Sequence, residues 1–134
     1  MTATEIINAM MEKDAFSQWM HLERLEESAG SCTLQMKVAP SMCNGFGVAH
    51  GGTLYSFADS CVAFAVNALG EVAVSVETSI SHLLPAKPGD VLTCTSNEER
   101  VSARMAVYTA TITNEANQKV ALFKGVYFRT GKSW

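Results

Sequence analysis

The chain has 134 residues, of which 48% are hydrophobic and 17% charged, with a formal net charge of −3. A chain of this length buries roughly two-thirds of its unfolded surface as one compact unit, so a single domain over residues 1–134 is expected. Composition and charge exclude a disordered chain, a collagen-like chain and a broadly basic nucleic-acid binder.

The first residues, Met1 to Ile6, show no basic segment followed by an apolar run, which predicts a cytoplasmic protein without a secretory leader. Residues 4–19 read as one short helix with apolar positions Ile6, Ile7, Met10, Met11 and Phe16. A hairpin follows, with strands near 22–27 and 31–38 around an Ala29-Gly30 turn; Cys32, Leu34, Met36 and Val38 alternate against Thr33, Gln35 and Lys37. The glycine-rich loop Asn44-Gly45-Phe46-Gly47 leads to a long helix over about 51–69, with Gly70 as its C-cap. A strand over 72–81 directs Val72, Val74, Val76, Thr78 and Ile80 to one face, and Ala73, Ser75, Glu77, Ser79 and Ser81 to the other. Beyond the turn Pro85 to Asp90, strands are read at 91–99, 103–113 and 119–129, with residues 114–117 as a loop. One long helix and about six sequential strands give an α+β class, a helix wrapped by an antiparallel sheet.

The 33 residues between Lys37 and Glu71 contain a single charged side chain, Asp59. At 100° per residue, Thr53, Ser56, Ser60 and Asn67 form a narrow polar stripe on the long helix, and Asp59 stands about 60° from Ser56 at the border with an apolar sector. The longest apolar stretch, 54–69, is too short and too polar to cross a bilayer, so no membrane partner is expected. A buried carboxylate is costly unless it is used or paired. Two readings follow: a functional acid, or a cap or ion-pair partner for a neighbouring element. His50-Gly51-Gly52 opens the helix, so unobstructed glycine N–H groups at a helix N-terminus suit an oxyanion. Asp59 lies about 12 Å further along the axis, too far for one chain to bring both groups to one reacting carbon. Either the substrate is long or a second subunit supplies one half.

No G-x-S-x-G elbow, metal-binding His or Cys spacing, P-loop or dinucleotide fingerprint is present, so no metal and no cofactor are expected. Cys32, Cys43, Cys61 and Cys94 form no C-x-x-C pair and read as free core thiols. From Arg100 onward six basic residues (Arg100, Arg104, Lys119, Lys124, Arg129 and Lys132) face one acid, Glu115. That third of the chain is either a dock for an anion such as phosphate, with Lys87 as a further candidate, or the solvated face of a sheet.

The run Asn44-Gly-Phe-Gly-Val-Ala-His50-Gly-Gly-Thr-Leu-Tyr-Ser-Phe-Ala-Asp59, followed by Asn67-Ala-Leu-Gly70, Val74-Ser-Val-Glu77, Leu84 to Asp90 and Val120 to Gly125, resembles the signature of hot-dog-fold acyl-CoA thioesterases of the phenylacetate-degradation (PaaI-type) branch. The resemblance implies a hot-dog fold, a long central helix wrapped by a curved antiparallel sheet of five to six strands, in dimers that commonly assemble into homotetramers with the active site at the dimer interface. By motif position it implies Asp59 as nucleophile or general base and Gly51 as the N–H that polarises the thioester carbonyl. Asn44 would hold water or the thioester, Ser75 would orient water, and His50 would support the loop. Gly52 adjoins the oxyanion site, and Met42, Phe46 and Tyr55 are candidate lining of an acyl pocket. A thioester is reactive enough for one carboxylate and an oxyanion hole to suffice. The competing readings are a non-catalytic acyl-CoA-binding sensor or carrier and a hot-dog dehydratase; the carboxylate deep in a long helix, with no histidine near it in sequence, argues against the latter.

Overall fold

A computed structural model describes residues 1–134. Thr2 opens α1 (Ala3–Lys13) with a reciprocal capping box to Glu5, and Ile6 and Ile7 are its buried positions. The single helix expected over 4–19 is two helices. Asp14 ends α1 and caps α2 (Ala15–Trp19), its carboxylate accepting the Ser17 N–H at 2.9 Å. A side-chain acceptor at that point competes with the helical hydrogen-bond ladder and restarts the helix. Phe16, expected among the inward apolar positions, is 55% exposed as a result.

The strands are β1 (Glu23–Ser28), β2 (Ser31–Lys37), β3 (Glu71–His82), β4 (Val91–Val101), β5 (Met105–Thr113) and β6 (Lys119–Ser133). They form one six-stranded sheet in the order β1-β2-β4-β5-β6-β3, every neighbouring pair antiparallel. The two-residue turn Ala29-Gly30 joins β1 to β2, with Gly30 at φ +82°. The helix α3 (Gly51–Asn67) lies across the sheet, and its Leu54, Phe57, Cys61 and Phe64 join the core with Leu34, Leu92, Tyr108, Ile112 and Phe123. No helix is long and apolar enough to cross a membrane.

α3 ends two residues earlier than the sequence pattern suggests. Asn67 is 3% exposed; its Nδ2 donates to the Ala63 and Ala73 carbonyls, and its Oδ1 accepts the Ala73 N–H and the Trp134 indole. That carboxamide pins the start of β3 beneath the helix end. Thr53, also buried, donates to the Met42 carbonyl at 2.9 Å. Two members of the expected polar stripe are therefore structural, and the half-buried side of α3 consists of Tyr55, Ser56, Asp59, Ser60 and Ala63.

β3 departs most from expectation. Ser75 pairs with Tyr127 and Glu77 with Val126, leaving Val76 as an extra residue. A one-residue bulge exchanges the faces of everything beyond it. Ser75 shares the inner face with Tyr127, whereas past the bulge Thr78 and Ile80 share it with Gly125 and Phe123. Val74 and Val76, expected to lie with Thr78 and Ile80, are 50% and 59% exposed. β3 is thus an edge strand with apolar side chains in water.

Candidate active site

The expected residues collect in two groups along the half-buried side of α3. The first surrounds its N-terminus. His50 is the N-cap, and its Nδ1 accepts the Gly52 N–H at 2.8 Å; the remaining ring proton therefore sits on Nε2. Gly52 gives its N–H to His50, while the Gly51 N–H, at the first helical position, has no acceptor in the chain. A Cβ at Gly51 would stand 3.2 Å from His82 Nε2, so the imidazole of His82 packs directly on this glycine. Sequence reasoning left His82 without a role, because its inward position depends on the bulge at Val76.

Asn44 organises the loop before α3. Its Oδ1 accepts the Phe46 N–H at 2.9 Å and the Val48 N–H at 3.4 Å, leaving the amide NH₂ as its free donor. Asn44, Gly51, Leu54 and His82 line a cavity of about 370 Å³ closed by Leu83 and Leu84. Phe46, 93% exposed, stands at the loop tip. Lys87 lies in an exposed turn whose neighbour, Ala86, accepts the Ala49 N–H at 2.7 Å, tying that turn to the approach to α3.

The second group surrounds Asp59. Its Oδ1 accepts the Tyr127 hydroxyl at 3.3 Å, and Tyr127 is the cross-strand neighbour of Ser75. Neither ion pair in the molecule, Arg24–Glu27 or Arg129–Glu71, involves Asp59. The Tyr127 hydroxyl is also its one hydrogen-bond donor, so within the chain the carboxylate is neither an ion-pair partner nor a helix cap. Burial pushes its carboxyl above the ordinary aspartate value; the Tyr127 hydroxyl pulls it back in part, and the Asp14 carboxylate adds a push in the upward direction. Burial and the facing carboxylate together push the Tyr127 phenol up.

Tyr127 is the residue that sequence reasoning missed here. Its ring crosses Gly125, where a Cβ would lie 2.5 Å from Tyr127 Cε1, so the glycine makes room for the ring that reaches the carboxylate. Tyr55 sits between the groups, half-buried, its hydroxyl hydrogen-bonded to Thr78 and its ring edge-on to Phe123 at 5.8 Å.

Of the basic residues in the last third, Arg129 is committed to the fold. Its Nε lies 3.3 Å from Glu71 and its Nη1 donates to the Ser102 carbonyl at 2.6 Å. Arg100, Arg104, Lys119, Lys124 and Lys132 are exposed. Cys32, Cys61 and Cys94 are free buried thiols and Cys43 is a half-buried one. A larger cavity, about 630 Å³, lies between the start of β1, the end of β2 and the turn at Pro88, and it meets the start of α3 only through Met42, whose carbonyl accepts from Thr53. Size alone does not locate chemistry; the activated groups are a buried-side carboxylate and an unpaired helix N-terminal N–H.

A helix bearing that pair, laid across a six-stranded antiparallel sheet, is the hot-dog architecture. The sequence profile of the thioesterase superfamily matches residues 46–121, and the chain belongs to that superfamily. It is 35% identical to the acyl-coenzyme A thioesterase PaaI of Escherichia coli K12 over 124 residues, 92% of this chain and 89% of the relative. The E. coli PaaI structure superposes with a TM-score of 0.94 at 34% identity, covering 98% and 95% of the two chains. The similarity is thus to the PaaI-type branch. Human acyl-coenzyme A thioesterase 13 is 29% identical over 87% of this chain and 85% of its own length. A hypothetical thioesterase from Streptococcus pneumoniae TIGR4, solved with coenzyme A, superposes with a TM-score of 0.88 at 28% identity, covering 94% and 98%.

Proposed function

We propose that this protein hydrolyses acyl-CoA thioesters, with aryl or medium-chain acyl groups, to the free acid and CoA, residues 1–134 acting as one thioesterase domain. The observation that carries the reading is the half-buried Asp59 carboxylate, held by Tyr127 on the same helix whose first N–H, on Gly51, has no partner. The Gly51 N–H polarises the thioester carbonyl, and the helix dipole adds to its pull on the developing oxyanion. Asp59 takes a proton from water as it attacks, or attacks first to form a mixed anhydride that water then opens. In both routes the carbon–sulfur bond breaks, the thiol of CoA leaves and the acid is released. The upward push on Asp59 makes its carboxylate a stronger base.

Ser75, across from Tyr127, orients the water, and the free NH₂ of Asn44 holds the thioester at the other end. His50 fixes the loop through its bond to Gly52. Lys87 and Lys119, at the end of the sheet nearest the start of α3, meet the phosphates of CoA, while Phe46 and Tyr55 border the acyl and thiol arms.

Gly51 and Asp59 lie about 12 Å apart along one helix axis, so each reaction centre combines Gly51 of one subunit with Asp59 of another. The exposed edge β3, with Val74 and Val76 in water, is the surface on which a second copy pairs. A homodimer is the minimum state, and a homotetramer of two dimers the expected one. Four free cysteines suit the reducing cytoplasm. Asp59→Asn is expected to lower kcat for phenylacetyl-CoA by roughly 10² or more, measured by thiol release, with fold and oligomer retained. Unchanged turnover would remove Asp59 from the chemistry.

A further inference from the structure

Phe16 and Trp19 are two of the largest apolar side chains left in water, 55% and 46% exposed. They stand on α2, a helix of five residues, too short to hold its own shape. What holds it is a hydrogen-bonded chain. Ser17 Oγ donates to Asp14 Oδ2 at 2.6 Å, and because a hydroxyl has one proton, the 2.8 Å contact to Ser60 Oγ is donated by Ser60. Ser17 is 1% exposed, so the clamp is sheltered from water. Ser60 follows Asp59 directly, and α2 is thereby fixed against the helix that carries the carboxylate.

The two rings lie 5.7 Å apart at 54°, a tilted pair within the range in which aromatic rings attract. They form one wall of a cavity of about 370 Å³ whose other side is Met42, His50, Gly52 and Ser56. This cavity and the one lined by Asn44 and His82 flank the N-terminus of α3 on opposite sides, next to Gly52 and Gly51 respectively. No Asp, Glu, Lys or Arg lines the aromatic side, and of its polar side chains His50, Thr53 and Ser56 are bonded within the chain, so it suits a neutral apolar group better than a phosphate.

We propose that Phe16 and Trp19 form the wall that receives the acyl group of the thioester and select for a bulky apolar one. The inference rests on the thioesterase reading and adds to it the acyl-group side of the site. With the carbonyl oxygen at the Gly51 N–H, an acyl group turned towards Gly52 and Ser56 enters between the rings and the helix. Covering the rings removes their apolar surface from water, which a two-carbon acyl group is too small to do. The clamp through Ser17 fixes the wall to the same helix whose N-terminus holds the carbonyl.

The test compares kcat/KM for phenylacetyl-CoA and acetyl-CoA in the wild type and in Phe16→Ala, Trp19→Ala and the double variant. The phenylacetyl-to-acetyl ratio is expected to fall by about tenfold or more in the double variant, the scale on which apolar pockets discriminate. A ratio unchanged within twofold overturns the proposal. A second readout uses binding: in an Asp59→Asn background, phenylacetyl-CoA is expected to shift the tryptophan emission, CoA alone is not, and the shift is lost in Trp19→Phe. Trp134, the other tryptophan, is tied to Asn67 and serves as the internal reference. No emission change, or one that persists in Trp19→Phe, rejects the wall. Loss of subunit association in the double variant with the ratio retained would assign the rings to subunit packing, which also overturns it. If the wild type releases no thiol from any acyl-CoA, the thioesterase reading fails, and the Trp19 response then decides the acyl site by itself.

Discussion

Asp59 is under three influences whose signs differ, and each has a separable consequence. Burial raises its pKa, the Tyr127 hydroxyl stabilises the carboxylate and lowers it, and Asp14 repels the carboxylate and raises it. The acidic limb of kcat/KM is therefore expected above the ordinary aspartate range. Tyr127→Phe should move that limb to higher pH and Asp14→Asn to lower pH; limbs that coincide in all three proteins would exclude Asp59 as the titrating group. Asp14→Asn keeps a good helix cap, so the shift can be read without loss of α2. Stability follows the same sign. A carboxyl raised in the folded state contributes most at low pH, and that contribution is lost as pH rises through the folded value. Asp59→Asn is expected to raise Tm at pH 7, with the gain fading as pH falls towards about 4, near the unperturbed aspartate pKa. At His50, the role is the cap. His50→Ala leaves the Gly52 N–H unpaired and should cost about 1 kcal/mol, whereas His50→Asn restores an acceptor and most of the stability.

Two elements carry the site, and each turns on one glycine. At the start of α3, Gly51→Pro removes the N–H assigned to the oxyanion while proline suits the first helical position. His50, at φ −57° and ψ 140°, already has the backbone that a following proline demands. The variant is expected to keep its helix by circular dichroism and lose roughly 10²–10³ in kcat. In β6, Gly125 lies beneath the ring that reaches Asp59. Gly125→Ala places a Cβ against that ring, and chemical denaturation should show a loss of about 1–3 kcal/mol, accompanied by weaker activity as Tyr127 leaves the carboxylate. The length of β3 and its alternation were readable in the sequence, but its facing was not. The bulge at Val76 depends on pairing with β6, and a bulge adds no residue type that marks it.

Two half-sites on one helix make the assembled protein the functional unit. Asp59→Asn and Gly51→Pro subunits are each expected to be nearly inactive alone. After mixing and subunit exchange, roughly a quarter of the wild-type rate should return, because a hybrid twofold dimer holds one site with both defects and one with neither. No recovery in verified hybrids would put both groups of a site in the same subunit. The exposed Val74 and Val76 on the edge strand supply the surface for that pairing, and sedimentation velocity on Val74→Lys should show the dimer weakened.

Much of this protein was set by local order along the chain. An apolar helix with one carboxylate, a His-Gly-Gly start and strands of period two follow from residue spacing alone, since side-chain direction in a helix or strand is fixed by its period. Asp59 and the His50-Gly51-Gly52 start were singled out on those grounds, and their catalytic roles came with the resemblance to PaaI-type thioesterases. Asp14 as a helix break, Val76 as a bulge, Asn67 as a pin and Tyr127 as the partner of Asp59 were decided by packing. The bulge, the Tyr127 contact and the clamp on α2 depend on neighbours far away in sequence, Tyr127 lying 68 residues from Asp59 and Ser60 43 from Ser17, whereas Asp14 and Asn67 also bond residues three to six positions away. Periodicity records which way a side chain points, and only the folded sheet and helix determine what it meets.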